Sequence, residues 1–151
     1  MQLTRAADYA VRVMIHLAGL PAGSRVSRDE LAQAAECPEQ FLSKVLQGLT
    51  RAGLIVSHRG NTGGFELPAN QRSASILSVV EAIEGPLHLN ICLGSQNACT
   101  RQSWCPAHPV WAQAQEAMAN VLRAASISDL ARVAASARHG AATPVETPQW
   151  N

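Results

Sequence analysis

The chain has 151 residues, of which 47% are apolar and 15% charged, so it can bury a core and is not disordered as a whole. Its formal net charge is +1, from 12 Lys and Arg against 11 Asp and Glu, which excludes a basic field over the whole molecule. No apolar run is long enough to span a bilayer, so we expect a cytoplasmic protein without a membrane segment.

Three helices are predicted in the first third of the chain. Apolar residues at helical spacing indicate the first helix over residues 3–18, which ends at Gly19-Leu20-Pro21. A capping box, Ser27-Arg28-Asp29-Glu30, starts a short second helix. The third follows the turn at residues 36–39 and leaves a polar side that could read base edges. That side carries Gln40, Ser43, Lys44 and Gln47.

A β-hairpin is predicted directly after the third helix. Residues 54–58 are typical of a strand, residues 59–64 of a glycine-rich turn and residues 65–67 of the returning strand. Three helices followed by a hairpin is the order of a winged helix-turn-helix, whose third helix enters the major groove of DNA. The predicted fold class is therefore mainly α with a small β-hairpin, and residues 1–70 form the DNA-binding lobe. Its predicted DNA-binding residues are Arg28, Gln40, Ser43, Lys44, Gln47, Arg51, Ser57, His58, Arg59 and Gly60.

A long loop containing three cysteines follows a predicted fourth helix over residues 76–83. From Gly85 to Pro109 the loop has no Asp or Glu but carries Cys92, Cys99 and Cys105. A structureless loop of this length is unusual in a compact domain unless something organises it. In a reducing cytosol, clustered thiols indicate a metal or redox site rather than disulfides.

A long helix with one apolar stripe is predicted after the loop. The stripe comprises Trp111, Ala114, Met118, Val121, Leu122 and Ala125. Such a helix needs a partner, and pairing with a second copy would suit a palindromic DNA site. Residues 71–133 would thus form the connecting helix, the cysteine loop and the dimerisation helix. A last short helix is predicted from Ser128, and residues 134–151 are expected to form a disordered tail.

Several motifs resemble those of the winged-helix iron–sulfur regulators that include NsrR and IscR. They are Met1-Gln2-Leu3-Thr4 with Tyr9-Ala10, residues 41–49, residues 51–54, the turn at 59–65, the three cysteines and Ile127-Ser128-Asp129-Leu130. The resemblance covers roughly residues 1–133 and is closer to the nitric-oxide-sensing NsrR type. It implies a homodimeric transcription regulator, a repressor that senses nitric oxide, redox state or iron–sulfur status.

The same resemblance implies an iron–sulfur cluster held by Cys92, Cys99 and Cys105. A four-iron cluster is favoured and a two-iron cluster is the alternative; either needs a fourth ligand. Asp8 is the first candidate, because NsrR-like proteins carry an aspartate on the first helix that reaches the partner subunit's cluster. Asp8 could instead simply pair with Arg12. His108 is the second candidate, through the Cys105-x2-His108 spacing, and Cys37 is interpreted as structural.

Two other classes of function remain open from the residues. Zinc held by Cys92, Cys99, Cys105 and His108 would stiffen the loop without redox chemistry, although zinc ligands are usually closer in sequence. The protein would then be a zinc-stiffened or metal-free winged-helix interaction module. A thiol-based redox enzyme is disfavoured, because the chain has no Cys-x2-Cys pair and no nucleotide-binding loop. We therefore predict that the protein is not an enzyme.

Overall fold

The structure, a computed structural model, describes residues 3–94 and 99–138. Over these residues it is mainly helical, with one two-stranded antiparallel sheet. The predicted fold class is confirmed. The helices and strands are α1 (Arg5–Ala18), α2 (Arg28–Ala34), α3 (Glu39–Arg51), β1 (Val56–His58), β2 (Gly64–Glu66), α4 (Ile76–Glu84), α5 (His108–Ala124) and α6 (Ile127–Arg138).

Local side-chain chemistry sets the starts of α1 and α2. The hydroxyl of Thr4 accepts a hydrogen bond from the backbone N–H of Ala7, at 3.4 Å. The predicted capping box is present in α2, where Ser27 accepts from the N–H of Glu30 and the Glu30 carboxylate accepts from the N–H of Ser27. Both devices satisfy amides that have no partner within their own helix.

The hairpin is shorter than the sequence predicted. Leu54 and Ile55 are buried in the core and lead into β1 rather than pairing with β2. The register pairs Val56 with Glu66 and His58 with Gly64. A side chain could not stand at Gly64, because its φ is +146° and a Cβ there would lie 2.7 Å from the carbonyl oxygen of Val26. This close approach ties the hairpin to the segment before α2.

Helices α1–α3 and the hairpin form what we call the winged-helix lobe. Residues from the second half of the chain complete its core. Val79 of α4 and Ile127 of α6 are fully buried in the same cluster as Met14 and Leu42. Backbone hydrogen bonds from Ile76 to Ala125 and from Ile127 to Ala74, each 2.9 Å, hold α4 beside the start of α6. Residues of α4 and α6 therefore share a core with residues 1–70, and the division of the chain at residue 70 stays a prediction.

The last two helices also differ in part from the prediction. The predicted apolar stripe of α5 is covered only in part by the described residues. Met118 and Leu122 pack partly against Leu77 and Leu87, and Ala125 after the helix is buried, whereas Trp111 and Val121 are exposed. The last helix runs to Arg138 and includes residues 134–138, which were expected to belong to the tail. The rest of that tail, residues 139–151, lies outside the described residues. No helix within the described ranges is long and apolar enough to cross a membrane.

Candidate DNA-binding face and cysteine loop

Five of the predicted DNA-binding residues surround one open cavity of about 480 Å³ between α3 and the hairpin, which we call the wing cleft. Leu46 and Phe65 form apolar parts of its lining. The predicted residues that line it are Arg28, Ser43, Gln47, Arg51 and Ser57. The structure therefore brings together residues from α2, α3 and β1 that lie up to 29 positions apart in sequence. Thr50 also lines the wing cleft; its spacing of seven residues from Ser43 on α3 could have indicated it.

The cations of this face differ in how they are engaged. The Arg28 guanidinium lies 3.2 Å from the Glu39 carboxylate, and both side chains are exposed, so the pair contributes only about 0–1 kcal/mol. Lys44 and Arg51 have no ion-pair partner within the described ranges. A phosphate can therefore approach Lys44 and Arg51 without first breaking an ion pair.

His58 is held by the hairpin itself rather than at the wing cleft. Its Nε2 lies 2.8 Å from Oε2 of Glu66, and the Arg25 guanidinium lies 3.8 Å from the same oxygen. Despite this short distance, the geometry at His58 Nε2 does not satisfy a hydrogen bond. The sequence analysis did not identify Glu66, which stands beside His58 through the register of the hairpin.

The remaining predicted DNA-binding residues stand exposed at two positions. Gln40 lies in the first turn of α3, and Arg59 and Gly60 lie at the start of the hairpin turn. Gly60 has a φ of +104°, which favours glycine there. Arg59 is thus presented by a turn with a defined backbone conformation.

The three loop cysteines form no disulfide among the described residues and are at least partly buried. Cys92 is buried in a short 3-10 turn, while Cys99 and Cys105 are half-buried. In the described part of the chain, no three His, Cys, Asp or Glu side chains are gathered closely enough to hold a metal ion. Residues 95–98, between the first two cysteines, lie outside the described residues. The thiols thus share one loop without forming a closed ligand set.

His108 carries a buried nitrogen without a partner. Its Nε2 is buried and makes no hydrogen bond with residues 3–94 or 99–138, while its backbone N–H donates to the carbonyl of Cys105 at 3.1 Å. Leaving such a nitrogen unpaired costs about 1–3 kcal/mol. Three thiols and this imidazole are a donor set that suits iron or zinc. The residues present therefore fit a metal group in chemical type.

Asp8 lies on α1 and is engaged by Arg12 in the isolated chain. The carboxylate is 2.8 Å from the Arg12 guanidinium, one turn along the helix, and both side chains are about half exposed. Arg12 also lies 3.5 Å from the Glu36 carboxylate and donates to the carbonyl of Ala35. The simple ion pair considered from the sequence is thus present, and Asp8 remains open to solvent for a second contact.

Cys37 stands apart from the other thiols. It is buried in the core of the winged-helix lobe, in the turn before α3. Burial raises the pKa of its thiol, and the nearby Arg12 opposes this effect only in part. A thiol kept protonated in this way is a poor metal ligand and nucleophile.

Large apolar side chains are exposed on the loop and on α5. They include Ile91, Trp104, Val110, Trp111 and Val121. Arg101 stacks over the Trp104 ring, 4.6 Å from its centre. Exposed apolar residues concentrated in one region are typical of an interaction surface.

Comparison with known proteins gives consistent relatives. The family model of Rrf2, described as an iron-dependent transcriptional regulator, matches residues 3–133. The chain is 34% identical over 131 residues to Rv1287 of Mycobacterium tuberculosis, named as an HTH-type transcriptional regulator, covering 87% of this chain and 81% of that one. It is 32% identical over 139 residues to NsrR of Geobacillus kaustophilus, covering 91% and 95%. The structure of CymR, the global cysteine regulator of B. subtilis, matches with a TM-score of 0.68 at 25% identity, covering 87% and 97%.

Proposed function

The chain belongs to the Rrf2 family of transcriptional regulators, and from that premise we propose that an iron–sulfur cluster in its cysteine loop controls how it binds DNA. The observation that carries the proposal is the set of three free cysteines, Cys92, Cys99 and Cys105, followed by His108, whose buried Nε2 has no hydrogen-bond partner among the described residues. The cysteines lie in the segment between α4 and α5, and His108 is the first residue of α5.

The DNA-binding half of the proposal rests on the wing cleft and α3. A recognition helix flanked by a hairpin places polar side chains in the major groove and cations against phosphates. Gln40, Ser43 and Gln47 are the candidates for contacts to base edges, and Lys44, Arg51 and Arg59 for contacts to phosphates. Lys44 and Arg51 line one cavity beside α3 and Arg59 stands exposed at the hairpin turn, so local cations are available although the net charge of the whole chain is only +1.

The exposed face of α5 supports a homodimer. A second copy would cover Trp111 and Val121 and would set two recognition helices against a palindromic site. The two half-sites of such a site lie about one helical turn apart. Any change at the α5 interface would therefore alter the spacing of the two recognition helices.

The cysteine loop is attached to both halves of the molecule by its backbone. The N–H of Leu89 donates to the Gln115 side chain of α5 at 2.9 Å, and the N–H of Leu87 donates to the Glu81 side chain of α4 at 3.4 Å. Because α4 packs in the core of the winged-helix lobe, a change in loop shape reaches the recognition helix through α4.

When bound, the cluster would supply a centre that reacts with nitric oxide or oxygen and depends on iron supply. Cys92, Cys99 and Cys105 would hold it as thiolates, and the burial of Cys92 would limit its access to water. Asp8 of a second copy is the proposed fourth ligand, since its side chain is about half exposed. Its ion-pair partner Arg12 also contacts Glu36 in the turn before α3, so a ligand at Asp8 would be connected to the recognition helix. His108 is the alternative within the same chain. We propose a four-iron cluster, with a two-iron cluster as the alternative, in a repressor that releases DNA when the cluster is lost.

The cluster is tested by purifying the protein without oxygen and measuring its visible spectrum with its iron and sulfide content. The wild type should be coloured, Cys99→Ser should be colourless, and Cys37→Ser is the matched control that should keep the colour. Colour that survives in Cys99→Ser would contradict the assignment. A colourless wild type containing one zinc per chain would instead support the zinc-stiffened module.

The fourth ligand is tested in the same preparation. Asp8→Ala should destabilise the cluster while His108→Ala leaves its spectrum and lifetime unchanged. The opposite pattern would assign the position to His108 and remove the contact between subunits from the account.

A further inference from the structure

A second cavity lies on the opposite flank of the recognition helix. It has a volume of about 540 Å³ and is bounded by the start of α1, by α3 and by the end of α4. We call it the α4 cleft. Its polar lining residues are Thr4, Lys44, Gln47, Arg51 and Glu84. Gln47 and Arg51 also line the wing cleft, so these two residues form the ridge between the two cavities.

The end of α4 is held firmly against the recognition helix. A Cβ on Gly48 of α3 would lie 2.8 Å from Cδ1 of Ile83, so the two helices meet where α3 has no side chain. Ile83 directly precedes Glu84. The Glu84 carboxylate is therefore placed at the α4 cleft by packing between helices.

A helix lying in the major groove has a sugar–phosphate backbone on each side. The groove is about 12 Å wide, close to the diameter of an α-helix with its side chains. If the wing cleft faces one strand, then the α4 cleft faces the other, because the exposed ridge of α3 separates them. The second strand would meet Lys44 and Arg51, neither of which is paired within the described ranges.

Glu84 brings a negative charge to this cleft. Its Oε1 accepts a hydrogen bond of 2.7 Å from the backbone N–H of Thr4, immediately before α1. The first amides of a 14-residue helix are favourable partners for an anion such as phosphate. A carboxylate therefore stands where a phosphate oxygen would otherwise be stabilised.

We propose that Lys44 and Arg51 in the α4 cleft bind the phosphate backbone of the second DNA strand, and that the negative charge of Glu84 weakens this binding. This inference rests on the proposed DNA-binding function and adds a contact surface and a negative determinant to it. Weaker binding to phosphates reduces the affinity that does not depend on sequence, and the contacts to base edges then make a larger relative contribution.

The test measures binding of a short random-sequence duplex by Glu84→Gln in the full chain. Gln keeps an oxygen that can accept from Thr4, so only the charge is removed. We expect roughly threefold tighter binding at about 50 mM salt, and a smaller difference at about 200 mM because salt screens the repulsion. Glu116→Gln is the matched control, since Glu116 lies on α5, pairs with Arg123 and does not line the cleft. Equal affinities of both variants would overturn the inference.

The variant Lys44→Gln tests whether Glu84 acts on the phosphate contact in the α4 cleft. It should weaken duplex binding, and adding Glu84→Gln to it should restore less than the gain seen in the wild type, because the seated phosphate is lost. An undiminished gain would place the effect of Glu84 elsewhere and contradict the inference. A wild type that binds no duplex at low salt would contradict DNA binding itself, and with it both proposals. A wild type that binds while Glu84→Gln has no effect would contradict only the α4 cleft.

Discussion

The winged-helix lobe buries its large apolar side chains within the chain, whereas the region formed by the cysteine loop and α5 leaves several of its own exposed. In the lobe, Met14, Leu31, Leu42 and Leu49 are fully buried around one another. In the other region, Ile91 is 70% exposed, Trp104 61% and Trp111 41%.

The difference teaches which part of the molecule depends on something outside the chain. The lobe has a core that α4 and α6 complete, and α1 and α2 begin with side-chain caps, so its geometry follows from residues of the same chain. The loop region has exposed aromatic residues, three free thiols and an imidazole nitrogen with no hydrogen-bond partner in the described part of the chain. Its geometry is expected to depend on a partner subunit and a metal group.

The largest expected effect is a loss of stability in the lobe. Leu49→Ala would leave a cavity at a fully buried position of α3 and should lower the free energy of unfolding by about 2–5 kcal/mol. Denaturant unfolding followed by circular dichroism measures this change. An unchanged denaturation midpoint would contradict the role of Leu49 in stabilising the core of the lobe.

The matching change in the other region should act on assembly instead. Trp111→Ala removes an exposed ring from α5, so it should shift the dimer toward monomer, as measured by analytical ultracentrifugation over a range of concentrations. Its effect on unfolding at a concentration where both proteins are monomeric should be smaller than that of Leu49→Ala. If Trp111→Ala remains as dimeric as the wild type, the exposed face of α5 is not the interface.

A smaller effect is expected at the tip of the hairpin. Arg59→Ala should weaken duplex binding and reduce the slope of log affinity against log salt by about 0.9 if Arg59 contacts one phosphate. Arg132→Ala on α6 is the control, because Arg132 pairs with Asp129 and lies in another element. An identical slope for Arg59→Ala and the control would remove Arg59 from the DNA interface.

The smallest expected effect concerns the cap of α2 and is visible through pH. Hydrogen bonds from the backbone and side chain of Ser27 lower the pKa of Glu30 in the folded protein. The charged Glu30 carboxylate therefore stabilises the fold at pH values above the pKa that Glu30 has in the unfolded chain. This stabilisation is lost as the pH falls through the lower pKa that Glu30 has in the folded protein. Glu30→Gln keeps an acceptor but not the charge. The denaturation midpoint of Glu30→Gln should be lower than that of the wild type at neutral pH and equal to it in acid. A difference that does not change with pH would contradict a role for the charge of Glu30 in capping α2.

Local patterns predicted the parts of the fold that are stabilised by neighbours in sequence. The capping box at Ser27, the apolar face of α3 and the glycine-rich turn each act within about a dozen residues. The extent of the last helix was missed, although Ala-rich residues 134–138 are compatible with a helix. Composition alone favoured a tail there.

Contacts between distant residues explain what sequence reasoning did not find. Glu84 meets the backbone of Thr4, which lies 80 positions away, and Glu66 meets His58 only because the hairpin register places them together. The closure of the lobe by Ile127 has the same origin. No periodicity within one element carries this information. The fourth ligand is harder still to predict, because one candidate would come from a second copy of the chain.

The most direct test of the central claim compares DNA binding by cluster-loaded and cluster-free forms of one oxygen-free preparation. A full switch between about 99% and 1% bound requires affinities that differ by roughly 10⁴-fold. We expect a loss of affinity approaching that size when the cluster is removed, and we expect Cys99→Ser to bind as weakly as the cluster-free form. Equal affinities for the same operator duplex with and without the cluster would contradict it.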